Sequence, residues 1–122
     1  MENVGNRDNP LKTKSYDFAL RIVGEYRRLV AEEREYVLSK QMLRSGTSVG
    51  ANVAEANQAQ SRPDFISKLS IALKETVETE YWLELLRDSR LLEDGRANEL
   101  LADCRELKAI LTASIKSSKS RL

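Results

Sequence analysis

The stretch SRPDFISKLSIALKETVETEYWLELL, residues 61–86, decides the fold. Its first residues are typical of a helix start, because Ser61 can act as the N-cap, Pro63 fits the first turn and Asp64 supplies the acidic half of a capping pair. Apolar or small residues then recur every three or four positions, which indicates one helix face packed in a core. These positions are Phe65, Leu69, Ala72, Thr76, Leu83 and Leu86. We therefore predict a helix over residues 63–92.

Similar patterns predict three more helices, over residues 15–33, over residues 36–59, and from the turn at Glu93–Gly95 to about residue 117. Ser15 is the predicted cap of the first. Four helices joined by short turns predict an all-α fold, an antiparallel up-down-up-down four-helix bundle. The predicted organisation is a polar N-terminal arm at residues 1–14, the bundle at residues 15–118 and a basic end at residues 119–122.

Two glycines fall inside the second predicted helix, at Gly46 and Gly50. Glycine within a helix costs about 1 kcal/mol relative to alanine. Close approach of another helix backbone would offset that cost, since only small side chains permit it. We therefore expect a tight contact at these two positions.

The third predicted helix carries a second apolar face, formed by Ile66, Leu73, Val77 and Tyr81. Either this surplus faces a second neighbouring helix inside the bundle, or it is buried between subunits. Tyr81 and Trp82 are the candidate oligomer contacts, because aromatic residues concentrate at binding hot spots.

The second and third helices carry a set of spaced residues that resembles the four-helix-bundle family named for the protein encoded in intervening sequences of bacterial 23S ribosomal RNA genes. The matching positions are Arg44-Ser45, Ser48-Val49, Asn52-Val53-Ala54-Glu55, Asp64-Phe65, Lys68-Leu69, Ile71-Ala72, Lys74-Glu75, Glu78-Thr79 and Tyr81-Trp82-Leu83. The resemblance implies a left-handed up-down bundle that assembles into a ring, with a homopentamer as the expected form. The chain is also similar in architecture to the accessory protein of diversity-generating retroelements, a pentameric barrel that binds nucleic acid and a reverse transcriptase. One departure is that Ala56 and Asn57 follow Glu55, where many family members have glycine.

Polar residues on the second and third helices suggest either a functional polar site or a network that fixes helix register, and we favour the network. Its predicted members are Ser48, Asn52, Glu55, Lys74, Glu75, Glu78 and Thr79. In this interpretation Glu55 pairs with Lys74 or bonds Ser48 and Thr79.

The composition argues against catalysis. The chain contains no histidine, the commonest general base and metal ligand, so a carboxylate di-metal site of the Glu-x-x-His type is not expected. The single cysteine, Cys104, is predicted to be a buried apolar residue and excludes an intramolecular disulfide, which fits the cytoplasm. We predict a non-enzymatic protein with no cofactor, no metal and no membrane span.

The charge pattern leaves the partner open. The net charge is +1, far from that of a strongly basic nucleic-acid binder, yet no acidic residue follows Glu106. Repeated around a ring, local basic clusters could form a rim that binds RNA or DNA. The expected function is therefore an RNA-, DNA- or ribosome-associated binding role. The candidate contacts are Arg21, Arg27, Arg28, Lys108, Lys116, Lys119 and Arg121. The alternative is a scaffold that binds another protein and no nucleic acid.

Overall fold

The computed structural model describes residues 9–122, and within that range the chain forms four α-helices and no strand. Helix α1 spans Pro10–Arg28, α2 spans Leu38–Ala56, α3 spans Arg62–Asp88 and α4 spans Asp94–Lys119. A π-helical turn, Leu29–Glu33, extends α1. The all-α prediction with four helices is confirmed.

The four helices surround one core. Helix α2 packs against α1 and α3, and α4 packs against α3 and α1. The largest fully buried side chains come from all four helices and include Phe18, Ile22, Met42, Leu69, Leu83, Leu101 and Leu111. Burial of such side chains contributes roughly 1.5–3 kcal/mol each, so this shared core is the main stabilising feature of the fold.

Helix α1 starts earlier than predicted. Asn9 is its cap, since the Asn9 Oδ1 atom accepts the Lys12 N–H at 3.1 Å, and Pro10 occupies the first turn. Ser15 therefore caps nothing and lies buried within the helix. The predicted arm at residues 1–14 is wrong from Pro10 onward, and its first eight residues lie outside the described range.

The start of α3 agrees with its sequence signature. Ser61 Oγ accepts the Asp64 N–H at 3.2 Å, and Pro63 lies in the first turn. The start of α4 differs slightly, because Glu93 Oε1 accepts the Arg96 N–H at 3.1 Å and caps a helix that already includes Gly95. Gly95 is thus part of the first turn of α4 rather than of the connecting loop.

The turn between α1 and α2 depends on one carboxylate. Arg34 adopts a left-handed conformation with φ of 53°, which ends the π-helical turn. Glu35 then accepts backbone N–H groups of Val37 at 3.1 Å, Leu38 at 2.9 Å and Ser39 at 2.6 Å. Burial opposes ionisation of Glu35, but these three hydrogen bonds outweigh it, so the pKa of Glu35 lies below its ordinary value.

We expect Glu35→Ala to lower the free energy of unfolding at pH 7 by about 1–2 kcal/mol, because the first N–H groups of α2 lose their acceptor. A carboxylate with a depressed folded-state pKa stabilises fully above its ordinary pKa and progressively less as the pH falls through the folded-state value. The difference between wild type and variant should therefore shrink between pH 5 and pH 3. Thermal unfolding of wild type and variant, followed by circular dichroism at pH 7, pH 5 and pH 3, measures this difference.

The matched control for that experiment is Glu99→Ala, which removes an exposed carboxylate whose nearest cation, Arg21, lies 3.6 Å away. Exposed ion pairs contribute about 0–1 kcal/mol. Equal destabilisation by the two variants, or a Glu35 effect that does not change with pH, would contradict the assigned cap.

The predicted tight contact at the two helix glycines is confirmed. A β-carbon at Gly46 would lie 2.9 Å from two side-chain carbons of Ile22, and one at Gly50 would lie 3.2 Å from the backbone oxygen of Ser15. The residue numbers rise along α1 while they fall along α2 between these two contacts. The small residues thus let α1 approach α2 closely.

Candidate binding surfaces

The α2–α3 polar residues form ion pairs rather than an open site. Arg44 contacts Glu75 at 3.2 Å and pairs closely with Glu78. The Trp82 Nε1–H donates to Glu78 Oε2 at 2.9 Å. These bonds from Trp82 and Arg44 hold the pKa of Glu78 below its ordinary value. Both carboxylates therefore pair with Arg44 across the two helices, which fits the structural role predicted for them.

Beneath this surface lies a buried pair of hydroxyl groups. Ser45 and Thr79 are both 0% exposed, and their Oγ atoms lie 2.8 Å apart. Thr79 Oγ1 is also 2.7 Å from the carbonyl oxygen of Glu75. A buried hydroxyl without a partner is costly, so this pair favours one register of α2 against α3.

The remaining predicted network members are not joined as expected. Asn52 Nδ2 donates within its own helix, to the Ser48 carbonyl at 2.9 Å and to Ser48 Oγ at 3.1 Å. Glu55 pairs with Lys68 at 3.2 Å, so its predicted pairing with Lys74 is wrong. Lys74 is exposed on the outer side of α3.

The cross-helix contacts have a common order. Arg44 meets Glu78 while Glu55, farther along α2, meets Lys68, which comes earlier in α3. Between α3 and α4, Cys104 contacts Thr76 and Asn98 contacts Arg87. In each pair of helices the numbering rises along one helix and falls along the other.

A pocket of about 660 Å³ lies between α1 and α2 and is lined mainly by apolar and small side chains, with Lys12 and Asp17 among its lining residues. No three cysteine or acidic residues in the 9–122 range are placed to hold a metal ion. No helix in that range is both long and apolar enough to cross a bilayer.

Cys104 is a core residue, as predicted. It is 1% exposed, and its Sγ atom lies 3.3 Å from the carbonyl oxygen of Thr76. Burial, reinforced by the nearby Glu80 carboxylate, raises the pKa of the Cys104 thiol to about 12. The thiol is therefore protonated and unreactive at neutral pH.

Three of the predicted nucleic-acid contacts are neutralised within the chain. Arg21 pairs with Asp103, and Lys108 donates to Glu80 at 2.8 Å. Arg28 is the most enclosed of the three, with 14% of its side chain exposed. Its guanidinium pairs with Glu25 and donates to the Leu91 carbonyl at 3.1 Å. A cation that already pairs with a carboxylate attracts a phosphate backbone less strongly.

Four other candidate cations are exposed and form no ion pair within residues 9–122: Arg27, Lys116, Lys119 and Arg121. The register of the α3–α4 contacts places the last turn of α4 beside the first turn of α3, where Arg62 is also exposed. Lys12 lies in the first turn of α1, whose cap Asn9 is within 3.5 Å of Asn57, where α2 ends and the connection to α3 begins. We call this group the basic end: Lys12, Arg62, Lys116, Lys119 and Arg121.

The candidate oligomer contacts differ from each other. Tyr81 is 57% exposed, whereas Trp82 is partly buried against the core and bonded to Glu78. Their rings meet edge to face, with centroids 5.0 Å apart and an interplanar angle of 72°. Tyr81 is therefore available to a partner, and Trp82 holds it in place.

Sequence reasoning missed an apolar strip on the outer side of α1. Tyr16, Leu20 and Val23 are 65%, 55% and 36% exposed. Their spacing of four and three residues was a visible signal of a second helix face, but the stronger stripe through Phe18 and Ile22 concealed it.

These features define an all-α, four-helix protein. Residues 7–113 match the family described as 23S rRNA-intervening sequence protein. The chain belongs to this family.

A crystal structure from Bacteroides thetaiotaomicron VPI-5482, of a protein with unknown function from the S23 ribosomal protein family, is similar to this chain. The two are 54% identical, with a TM-score of 0.86, and the similarity covers 87% of this chain and 98% of the other. No curated protein matches the chain.

Proposed function

We propose that this chain is a non-enzymatic, cytoplasmic protein that assembles into a homopentameric ring and binds RNA or DNA through the basic end of each subunit. The nucleic-acid part of this proposal rests on one observation: some cations of the chain are paired with carboxylates and others are not. Arg21, Arg28 and Lys108 are neutralised by neighbouring carboxylates, whereas the cations of the basic end lie exposed without an ion pair in the described range.

The proposal includes an antiparallel up-down-up-down bundle with a left-handed twist. The opposite order of contacts along each pair of neighbouring helices supports the antiparallel arrangement. That arrangement gathers the first turns of α1 and α3 and the last turn of α4 at one end, so a ring would repeat the basic end once per subunit. Repetition of a modest positive patch strengthens its attraction for a polyanion.

We expect a variant with Lys116→Gln, Lys119→Gln and Arg121→Gln to bind a labelled single-stranded RNA or DNA about 10-fold to 100-fold more weakly at 150 mM salt, because it neutralises fewer phosphates and so releases fewer counterions. The dependence of binding on salt should also become shallower. Fluorescence anisotropy at 50 and 150 mM salt measures both quantities.

The control variant removes the same number of charges from cations that are already paired, through Arg21→Gln, Arg105→Gln and Lys108→Gln. We expect its affinity to remain within about 3-fold of wild type. Equal weakening in the two variants would contradict the assignment to the basic end, and no binding by the wild type even at 50 mM salt would overturn the nucleic-acid proposal.

The second candidate function is a protein-binding scaffold with no nucleic-acid ligand. The near-neutral net charge of +1 favours it, since typical nucleic-acid-binding domains are strongly basic. The anisotropy experiment separates the two functions, because a scaffold of this kind gives no signal at either salt concentration.

A further inference from the structure

The outer side of α1 is apolar and is exposed in the described range, residues 9–122. Leu20 is 55% exposed and is flanked by Tyr16 and Val23, which are 65% and 36% exposed. Asp17 and Gly24 lie on the same side of the helix as Leu20, one turn before and one turn after it. We call Asp17, Leu20 and Gly24, with their flanking residues Tyr16 and Val23, the α1 face.

Gly24 relieves no steric contact among residues 9–122. A β-carbon there would meet nothing within 4 Å, whereas those at Gly46 and Gly50 would press on Ile22 and Ser15. Glycine in a helix interior is less favourable than alanine. The absence of a side chain at Gly24 therefore offsets no crowding in the described part of the chain, and it would permit close approach of a second molecule.

A second uncovered apolar strip lies on α3. Ile71, Val77 and Tyr81 are 39%, 49% and 57% exposed. Lys74 lies among them, exposed and without an ion pair in the described part of the chain. The edge contact with Trp82 holds the Tyr81 ring in one orientation. We call these four residues, Ile71, Lys74, Val77 and Tyr81, the α3 face.

We infer that the α3 face of one copy packs against the α1 face of the next copy in the ring, an inference that rests on the proposed homo-oligomer. The two faces differ, so a contact between them is heterologous, and repeated heterologous contacts form a ring when the rotation between neighbouring copies closes. A two-fold contact of either face with itself would leave the other apolar strip exposed.

The residue pattern supports one alignment of the two faces. When α1 and α3 run in parallel with Asp17 opposite Lys74, Leu20 lies opposite Val77 and Gly24 lies opposite Tyr81. Opposite charges meet, two aliphatic side chains meet, and the aromatic ring is placed over the residue without a side chain. Asp17, like Lys74, is exposed and forms no ion pair within residues 9–122.

The direction of the helices also fits a ring. The alternating order of contacts implies that α1 and α3 of one chain point the same way. A neighbouring copy, related by rotation about an axis along the bundle, keeps that direction. Its α3 therefore reaches α1 in the parallel orientation that the alignment requires.

Light scattering on five proteins tests this inference: wild type, Asp17→Lys, Lys74→Glu, the double variant Asp17→Lys/Lys74→Glu, and the control Lys40→Glu, which reverses an exposed charge on α2. We expect each single reversal at the two faces to raise the dissociation constant of the assembly about 10-fold or more, since like charges then meet in the interface. The double variant should recover most of the wild-type affinity, and Lys40→Glu should resemble wild type. Circular dichroism confirms that every variant remains helical.

Gly24→Gln provides an independent measurement. Glutamine is a better helix former than glycine, so the variant should melt about 4 °C higher at a concentration where the protein is monomeric. It should nevertheless assemble more weakly, because the added side chain occupies the space of Tyr81. At a helix position that faces only solvent, the same substitution would raise the melting temperature without weakening assembly.

The outcomes separate this inference from the proposed function. A wild-type mass of 13.8 kDa at all concentrations overturns both the ring and the interface. A wild-type oligomer whose mass is insensitive to both single reversals overturns the interface alone. Failure of the double variant to recover assembly overturns the pairing of Asp17 with Lys74.

Discussion

Replacing Gly46 by leucine is expected to lower the free energy of unfolding by about 3 kcal/mol, because overpacking a filled core forces side chains and backbone apart. The β-carbon alone would lie 2.9 Å from both Cγ1 and Cγ2 of Ile22. Ile22 is 0% exposed, so it has no solvent into which it can move. Urea unfolding followed by circular dichroism at 222 nm measures the change as a lower midpoint.

The control for this prediction is Gln41→Leu, which places the same side chain at an exposed position of the same helix. Surface substitutions of this kind usually change stability by less than about 0.5 kcal/mol. The contact between α1 and α2 would have to be looser than the structure indicates if Gly46→Leu unfolded at the same urea concentration as Gln41→Leu.

Local signals made much of the fold predictable. The Ser61–Pro63–Asp64 sequence signals a helix start through groups that are adjacent in the chain, and α3 begins there. The two glycines of α2 predicted a close helix contact for a similar reason. The free-energy cost of a glycine within a helix is known without knowing which helix packs against it. Such features need no information about how distant segments meet.

Where two signals competed, the sequence could not decide between them. Ser15 has the chemistry of a cap, but Asn9 followed by Pro10 begins the helix earlier. The small side chain of Ser15 instead lies where α1 meets Gly50. A serine at a cap and a serine at a tight helix crossing look alike until the neighbouring helix is placed.

Partners between helices were the least predictable part of the candidate surfaces. Both Lys68 and Lys74 are on α3, and only the register of α2 against α3 selects Lys68 as the partner of Glu55. The same limitation affected the cations. Arg27 and Arg28 are adjacent in sequence, yet Arg27 is exposed while Arg28 is enclosed by carboxylates from the end of α1 and the π-helical turn.

Because of this difference, we expect Arg28 to contribute far more than Arg27 to the stability of the fold. We expect Arg28→Met to lower the free energy of unfolding by about 3 kcal/mol, because removing one partner leaves a buried charge uncompensated. The charge left behind is the Glu25 carboxylate, whose side chain is 9% accessible and which pairs closely with Arg28. The substitution also frees the Leu91 carbonyl, which accepts from Arg28 at 3.1 Å. Urea unfolding of wild type and variant at pH 7 measures the change.

Arg27→Met is the matched control, since it removes the same charge from the neighbouring, solvent-exposed position, and we expect a change below about 0.5 kcal/mol. A double-mutant cycle with Glu25→Gln then isolates the pair itself. The double variant should be more stable than Arg28→Met alone, because the buried carboxylate is no longer charged. Comparable stability of the Arg27 and Arg28 variants would instead mean that Arg28 is solvated and available, and it would return Arg28 to the set of candidate nucleic-acid contacts.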